Sequence, residues 1–129
     1  MIKGLKIVLI IFGVVEILLG LMMIVAPEQA ADMAGISDVS DYLRYTMASL
    51  GVCLIAPSVF LIVAAGDPLR HINWVKFAIL WCILGVAAGL YAFFQGFVTF
   101  EQAGMQIIMD AVFAVAFLAL YPYGKAKSS

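Results

Sequence analysis

Ile7 to Ala26 reads IVLIIFGVVEILLGLMMIVA, twenty residues with a single charge, Glu16, near the middle. At about 1.5 Å per residue, a helix of that length covers roughly 30 Å, the hydrocarbon thickness of a bilayer. The stretch therefore reads as a membrane-crossing helix, and the acid inside it is the residue to explain. The rest of the chain has the same character. Of its 129 residues, 66% are hydrophobic and 12% charged. A water-soluble domain is about half apolar and about a quarter charged. This chain has too little polar surface to cover itself in water, which sets its class as a membrane protein. The net charge of −1 gives no electrostatic attraction for nucleic acid or an acidic substrate.

Four apolar runs appear, at about 7–26, 42–65, 73–98 and 103–121. They are long and continuous, without the alternation of barrel strands, so their backbone groups must be satisfied within helices. The prediction is an all-α protein: an integral membrane four-helix bundle forming one four-span domain over residues 1–129. The one sizeable connection is PEQAADMAGISDVSD, 27–41. Its Pro27 start and its Gly35 predict a short surface helix from Glu28 to Ala34 with a glycine stop. Ser40 or Asp41 can cap the second span, and Pro122 and Gly124 end the fourth. The opening MIKGLK imitates a signal peptide. The apolar run behind it exceeds the usual h-region of roughly 7–15 residues, and APEQAADMA offers no small-x-small cleavage site. The first helix is expected to be retained.

Basic residues set the orientation. Lys3, Lys6, Arg70, Lys76, Lys125 and Lys127 fall on one side, and only Arg44 on the other. The other side also carries Glu28, Asp32, Asp38, Asp41 and Glu101. The expectation is N-in and C-in, in a bacterial cytoplasmic (inner) membrane, multi-pass. Tyr42, Tyr45, Phe97 and Phe100 would sit at the outer interface, and Trp74, Tyr121 and Tyr123 at the inner one.

Ionisable groups within spans are costly and normally face the bundle interior or water. Glu16, Arg44 and Asp110 are the candidates. By helical spacing Glu16 shares its face with Gly13 and Gly20, Arg44 with Ala48 and Gly51, and Asp110 with Gln106 and Ala114. On the third span Gly85, Ala88, Ala92 and Gln95 align. Small residues favour close helix contact in lipid, so these faces should point inward. The expectation is an intramembrane polar cluster of Glu16, Arg44, Asp110, Gln106 and Gln95, with Arg44 paired to Asp110 and Glu16 one turn deeper. Its role is either to fix helix register or to hold a proton or ligand. Gly13, Gly20, Gly85 and Gly89 are assigned to helix packing, the last two as the GxxxG of GVAAG.

Other chemistry finds little support. No nucleophile–base set, phosphate-binding loop or metal cluster is visible, so no catalytic residue, metal or cofactor is assigned. Cys53 and Cys82 fall in apolar runs and read as small buried residues. Pro57 should kink the second span and free the Cys53 carbonyl, with Ser49 or Ser58 softening the defect. The seven methionines read as gap-fillers. Trp81 reads as a packing residue against which a quinone or pigment could lie.

Two resemblances bear on function. The first span ends GLMMIVAPE, a short polar loop leads to AGI, YLRYTMASLGVCLIAPSVFLIVAAGDPLR follows, and the fourth span contains IIMDAV. Over the whole chain this layout resembles the DoxX-like superfamily of small four-helix bacterial membrane proteins. Some members resemble auxiliary or anchor subunits of oxidoreductases, which implies partner binding and no catalytic residues. Glu16 also resembles the lone first-helix glutamate of small multidrug-resistance transporters, which binds protons and cationic drugs. Their Gly-Ala-Tyr-Ala-x-Trp stretch has no counterpart here.

The expected function is an accessory or structural subunit or anchor, not an enzyme, packing against other subunits of a membrane complex, with a redox complex as one candidate. The alternatives are a proton-coupled small-molecule transporter using Glu16, or a lipid- or quinone-binding membrane protein. Expected partners are the lipid bilayer and other membrane subunits or further copies of the chain, with a lipid or quinone as possible ligand.

Overall fold

The computed structural model describes residues 2–33 and 35–123. Within them all regular secondary structure is helical, in the order α1 (Ile2–Val25), α2 (Pro27–Met33), α3 (Asp41–Ala64), α4 (Ile72–Phe94) and α5 (Phe100–Leu120). All but α2 are long and apolar enough to cross a membrane. Their outward residues support that reading: Leu18, Val25, Phe60, Leu84 and Val115 are all exposed. In water this would be an aggregation surface, whereas against lipid tails it costs nothing.

Local signals in the sequence account for the helix ends. Ser40 caps α3 by accepting a hydrogen bond from the Leu43 N–H at 3.1 Å. Thr99 opens α5 with a reciprocal pair: the Gln102 N–H donates to Thr99 Oγ1, and the Thr99 N–H donates to Gln102 Oε1. That satisfies two amide groups which a bare helix start leaves unpaired. Gly35 and Gly96 have φ of 75° and 78°, a left-handed conformation open to glycine at little cost. Both end helices in the same way. The Ile36 N–H reaches the Ala31 carbonyl, and the Phe97 N–H reaches the Ala92 carbonyl, each satisfying a carbonyl of the last turn.

Several boundaries differ from expectation. The third span stops at Phe94 rather than 98, because Gly96 turns the chain. The first helix starts at Ile2 and includes Lys3 and Lys6, whose long side chains can reach the interface from within a helix. The short surface helix runs Pro27–Met33, and Ala34, Gly124, Lys125 and Lys127 lie outside the described residues. Pro57 is accommodated inside α3. The Ser58 hydroxyl donates to the Leu54 carbonyl at 2.5 Å, not to the Cys53 carbonyl. Cys82 is buried as expected, but Cys53 is exposed on the outside of α3.

Glycines set the helix contacts. Gly20 and Gly51 meet backbone to backbone where α1 crosses α3, and Gly13 receives the Ile62 side chain. On the other side of the bundle, Gly85 and Gly89 of α4 receive Asp110 and Ile107 of α5. Leu120 lies beside Gly4, so the end of α5 returns to the start of α1. Lipid tails compete equally for apolar surface, so close contact of this kind, rather than burial from water, holds such helices together.

The two halves of the bundle differ. Near the termini the interior is filled by Leu5, Leu9, Phe12, Leu61, Ile72, Val75 and Phe117, each no more than 1% exposed. Phe12 is the hub, with ring centroids 4.8 Å from Phe113, 5.2 Å from Trp81 and 5.6 Å from Phe117 in edge-to-face contacts. This geometry is the favoured one for aromatic pairs. Toward the acidic end the helices diverge and the interior opens.

Candidate functional site

The divergence leaves a partly open chamber of about 390 Å³. Its floor rests on the Phe12 core and is formed by Glu16, Trp81, Gly85 and Asp110. Leu19, Met22 and Met23 of α1 and Met47, Leu50 and Leu54 of α3 form one wall. Gln102, Met105, Gln106 and Met109 of α5 form the other. Ala30, Ala31 and Met33 of α2 lie over it. α3 and α5 lack the close contact that pairs α1 with α3 and α4 with α5, and the lining residues Leu50 and Met105 remain 48% and 65% exposed.

The two acids are placed by helix geometry. Glu16 lies on the α1 face that also carries Gly13 and Gly20, so the crossing that brings α1 onto α3 turns the carboxyl inward. It is 5% exposed. Asp110 is 8% exposed, and its carboxylate fits against the backbone of Gly85. Gln106, one turn earlier on α5, lines the same chamber. Asp110 is also close enough to act electrostatically on Glu16. No Lys, Arg or His is among the lining residues.

Of the residues assigned to the polar cluster, Glu16, Asp110 and Gln106 come together. Arg44 does not join them. Its guanidinium is bound to Glu28 of α2 and to Asp41 of its own first turn, each at 2.7 Å. The expected Arg44–Asp110 pair is thus replaced by Arg44–Glu28. The reason is depth: Arg44 starts in the first turn of α3, level with two exposed carboxylates, and reaching Asp110 would mean desolvating the guanidinium. The displaced arginine acquires another role, tying α2 to α3 beside the chamber. It also holds the Glu28 carboxyl below its ordinary value of 4.5, chiefly through the direct hydrogen bond. Gln95 is exposed at the C-cap of α4, beyond the face it was placed on, because the helix ends one residue before it.

The packing assignments of Gly13, Gly20, Gly85 and Gly89 all fall at helix contacts. Gly85 has a second use, as the seat of the Asp110 side chain. Sequence reasoning missed the methionine lining. Met22, Met23, Met33, Met47, Met105 and Met109 are the methionines among the described residues, and all six line the chamber. A signal existed: each lies within the half of its helix, or in the loop, toward the acidic end.

Comparison with protein-family models, characterised proteins and solved structures gives no match.

Proposed function

We propose that this chain is a multi-pass protein of the bacterial cytoplasmic membrane, termini inside, that binds an amphipathic small molecule in the chamber between α1, α3 and α5. The carrying observation is a cavity of about 390 Å³ that reaches two buried carboxyl groups and is lined, apart from Gln102 and Gln106, by apolar residues. Cavities of about 300–1,000 Å³ with an apolar wall and a few convergent polar groups are the usual form of a small-molecule site. The apolar part of the ligand lies against methionine, leucine and Trp81, and its polar group reaches Glu16 and Asp110. The exposure of the lining residues Leu50 and Met105 on the apolar helix surface suits a ligand that enters from the bilayer, as a lipid or quinone would. Binding, not bond making, is the activity in this reading. A carrier that exchanges its ligand for a proton at Glu16 is the same site used cyclically.

The orientation rests on Lys3, Lys6 and Arg70 sharing one end of the bundle while Glu28, Asp38, Asp41 and Glu101 share the other. The chamber then faces the outer half of the membrane.

The test is binding of an apolar, amine-bearing fluorescent dye to the full chain in lipid nanodiscs. Leu54→Trp, which fills the chamber, should abolish binding, and Glu16→Gln should weaken it. Dye binding unaltered by both substitutions would rule out the chamber as the site. Mass spectrometry of protein extracted from native membranes would show which lipid or quinone it retains.

A second reading is an accessory subunit packed against other membrane subunits. It is favoured by the apolar outer faces of the four long helices and by connections too short to form a binding surface. Purification from native membranes in gentle detergent should then bring partner subunits, and a lone chain would count against it.

A further inference from the structure

The methionines are distributed in a way that packing alone does not require. The dry core around Phe12 contains none of them, and neither do the partly buried side chains packed against it. As a flexible filler, methionine would serve that core as well as any other place. Instead six thioethers from α1, α2, α3 and α5 surround one cavity. Met47 is 9% exposed, and Met22, Met23 and Met109 are half-buried. Met33 and Met105, more than half exposed, stand at its rim. At about 1.5 Å per residue, Met22 and Met23 lie roughly 10 Å above Glu16 along α1. The Gly20–Gly51 crossing sets Met47 of α3 at their level.

Thioether sulfur is a soft, neutral, polarizable ligand. Soft ligands of this kind select copper(I), whereas hard cations prefer oxygen. Among the described residues, no three His, Cys, Asp or Glu side chains converge as a metal site, so zinc and calcium lack their usual ligands. A cation in so apolar a space also needs opposite charge nearby. Glu16 and Asp110 supply it from the floor, and no basic side chain lines the chamber to oppose it.

We propose that the chamber binds a soft monovalent metal ion, copper(I) or silver(I), on the thioether sulfurs of Met22, Met23 and Met47, which share one level of the chamber, with Glu16 and Asp110 providing compensating charge from the floor. The ion enters and leaves in the same oxidation state, so no electron transfer is involved. Met33 and Met105 at the rim are the first ligands it would meet. The inference concerns the same chamber as the proposed function but a different ligand class, and the two can fail separately.

The experiment uses the full chain in nanodiscs, with Cys53→Ala and Cys82→Ala introduced to remove thiols, which bind silver more strongly. Silver nitrate, in chloride-free buffer, serves as a redox-inert probe, and bound metal is measured after equilibrium dialysis. Stoichiometric silver retention is expected, with no retention of zinc or calcium. Met23→Leu with Met47→Leu should weaken silver binding by about tenfold or more, the scale on which disturbed metal sites respond. Leucine nearly conserves the volume of methionine, so the bundle should keep its fold. In carbon-13 methyl spectra, the chamber methionine signals should move on adding silver. No stoichiometric retention, or retention unaffected by the leucine variants, would overturn the proposal. The amine dye is tested on the same samples: dye bound and silver not retained ends the metal reading alone, whereas dye unbound by the unaltered chain faults the chamber itself.

Discussion

The Asp110 carboxylate lies against the backbone of Gly85, in the space that a β-carbon on that glycine would fill. A GxxxG pattern on α4 thereby makes room for a polar side chain as well as for a helix. At the α1–α3 crossing the same device works differently: Gly20 and Gly51 each have the other's carbonyl oxygen where a β-carbon would go, at 2.7 and 2.5 Å.

The two kinds of contact predict different mutational outcomes. In Gly51→Ala the new methyl meets a backbone carbonyl that cannot swing away, so α1 and α3 must separate. A loss of about 1–3 kcal/mol is expected, the usual scale of overpacking, read as a lowered midpoint of thermal unfolding in detergent. In Gly85→Ala the obstacle is the far end of a side chain, which can move. Stability should change little while dye affinity in the chamber changes. Equal destabilisation by the two substitutions would contradict this distinction.

The Arg44–Glu28 pair predicts a pH response of α2. Arg44 holds the folded-state Glu28 carboxyl below its ordinary 4.5, so the pair's contribution is complete above that value. It is lost only as pH falls through the lowered folded-state value. A spin label at Asp32 should report a well-held α2 from neutral pH down to about 5, and greater mobility in stronger acid. Glu28→Gln should give the mobile spectrum at every pH. Both partners are solvent-exposed, so high salt should weaken the tie, and global stability should scarcely respond.

Trp81 forms part of the chamber floor, whereas the chain's other tryptophan, Trp74, stacks on Phe60 with centroids 5.4 Å apart. In a Trp74→Phe variant, emission from Trp81 should shift or quench when the chamber is filled. In a Trp81→Phe variant, emission from Trp74 should not respond. A response from Trp74 alone would move the binding site to the opposite end of the bundle.

Cys53 is exposed on α3 and Cys82 is buried between helices. A lipid-soluble maleimide should label the folded chain once, at Cys53, and label Cys82 only after denaturation. Peptide mass mapping distinguishes the two positions. Rapid labelling of Cys82 in the folded state would contradict the tight packing around Phe12.

The order of amino acids is enough to give the helices. Apolar runs of bilayer length leave only one way to satisfy the backbone in lipid, and Ser40, Thr99, Gly35 and Gly96 mark most of the ends through local hydrogen bonding. It also showed which acids face inward, because small residues at helical spacing around Glu16 and Asp110 mark the contact faces. The partner of Arg44 depends on how the helices are set against one another. Sequence spacing sets depth along one helix but not the distance across to another, and Glu28 comes beside Arg44 only once α2 folds back over α3. The chamber was equally invisible, since a void is a property of how helices diverge and not of any one of them. The methionines read as interchangeable filler until four helices were set side by side, because a thioether packs or binds according to what stands opposite it.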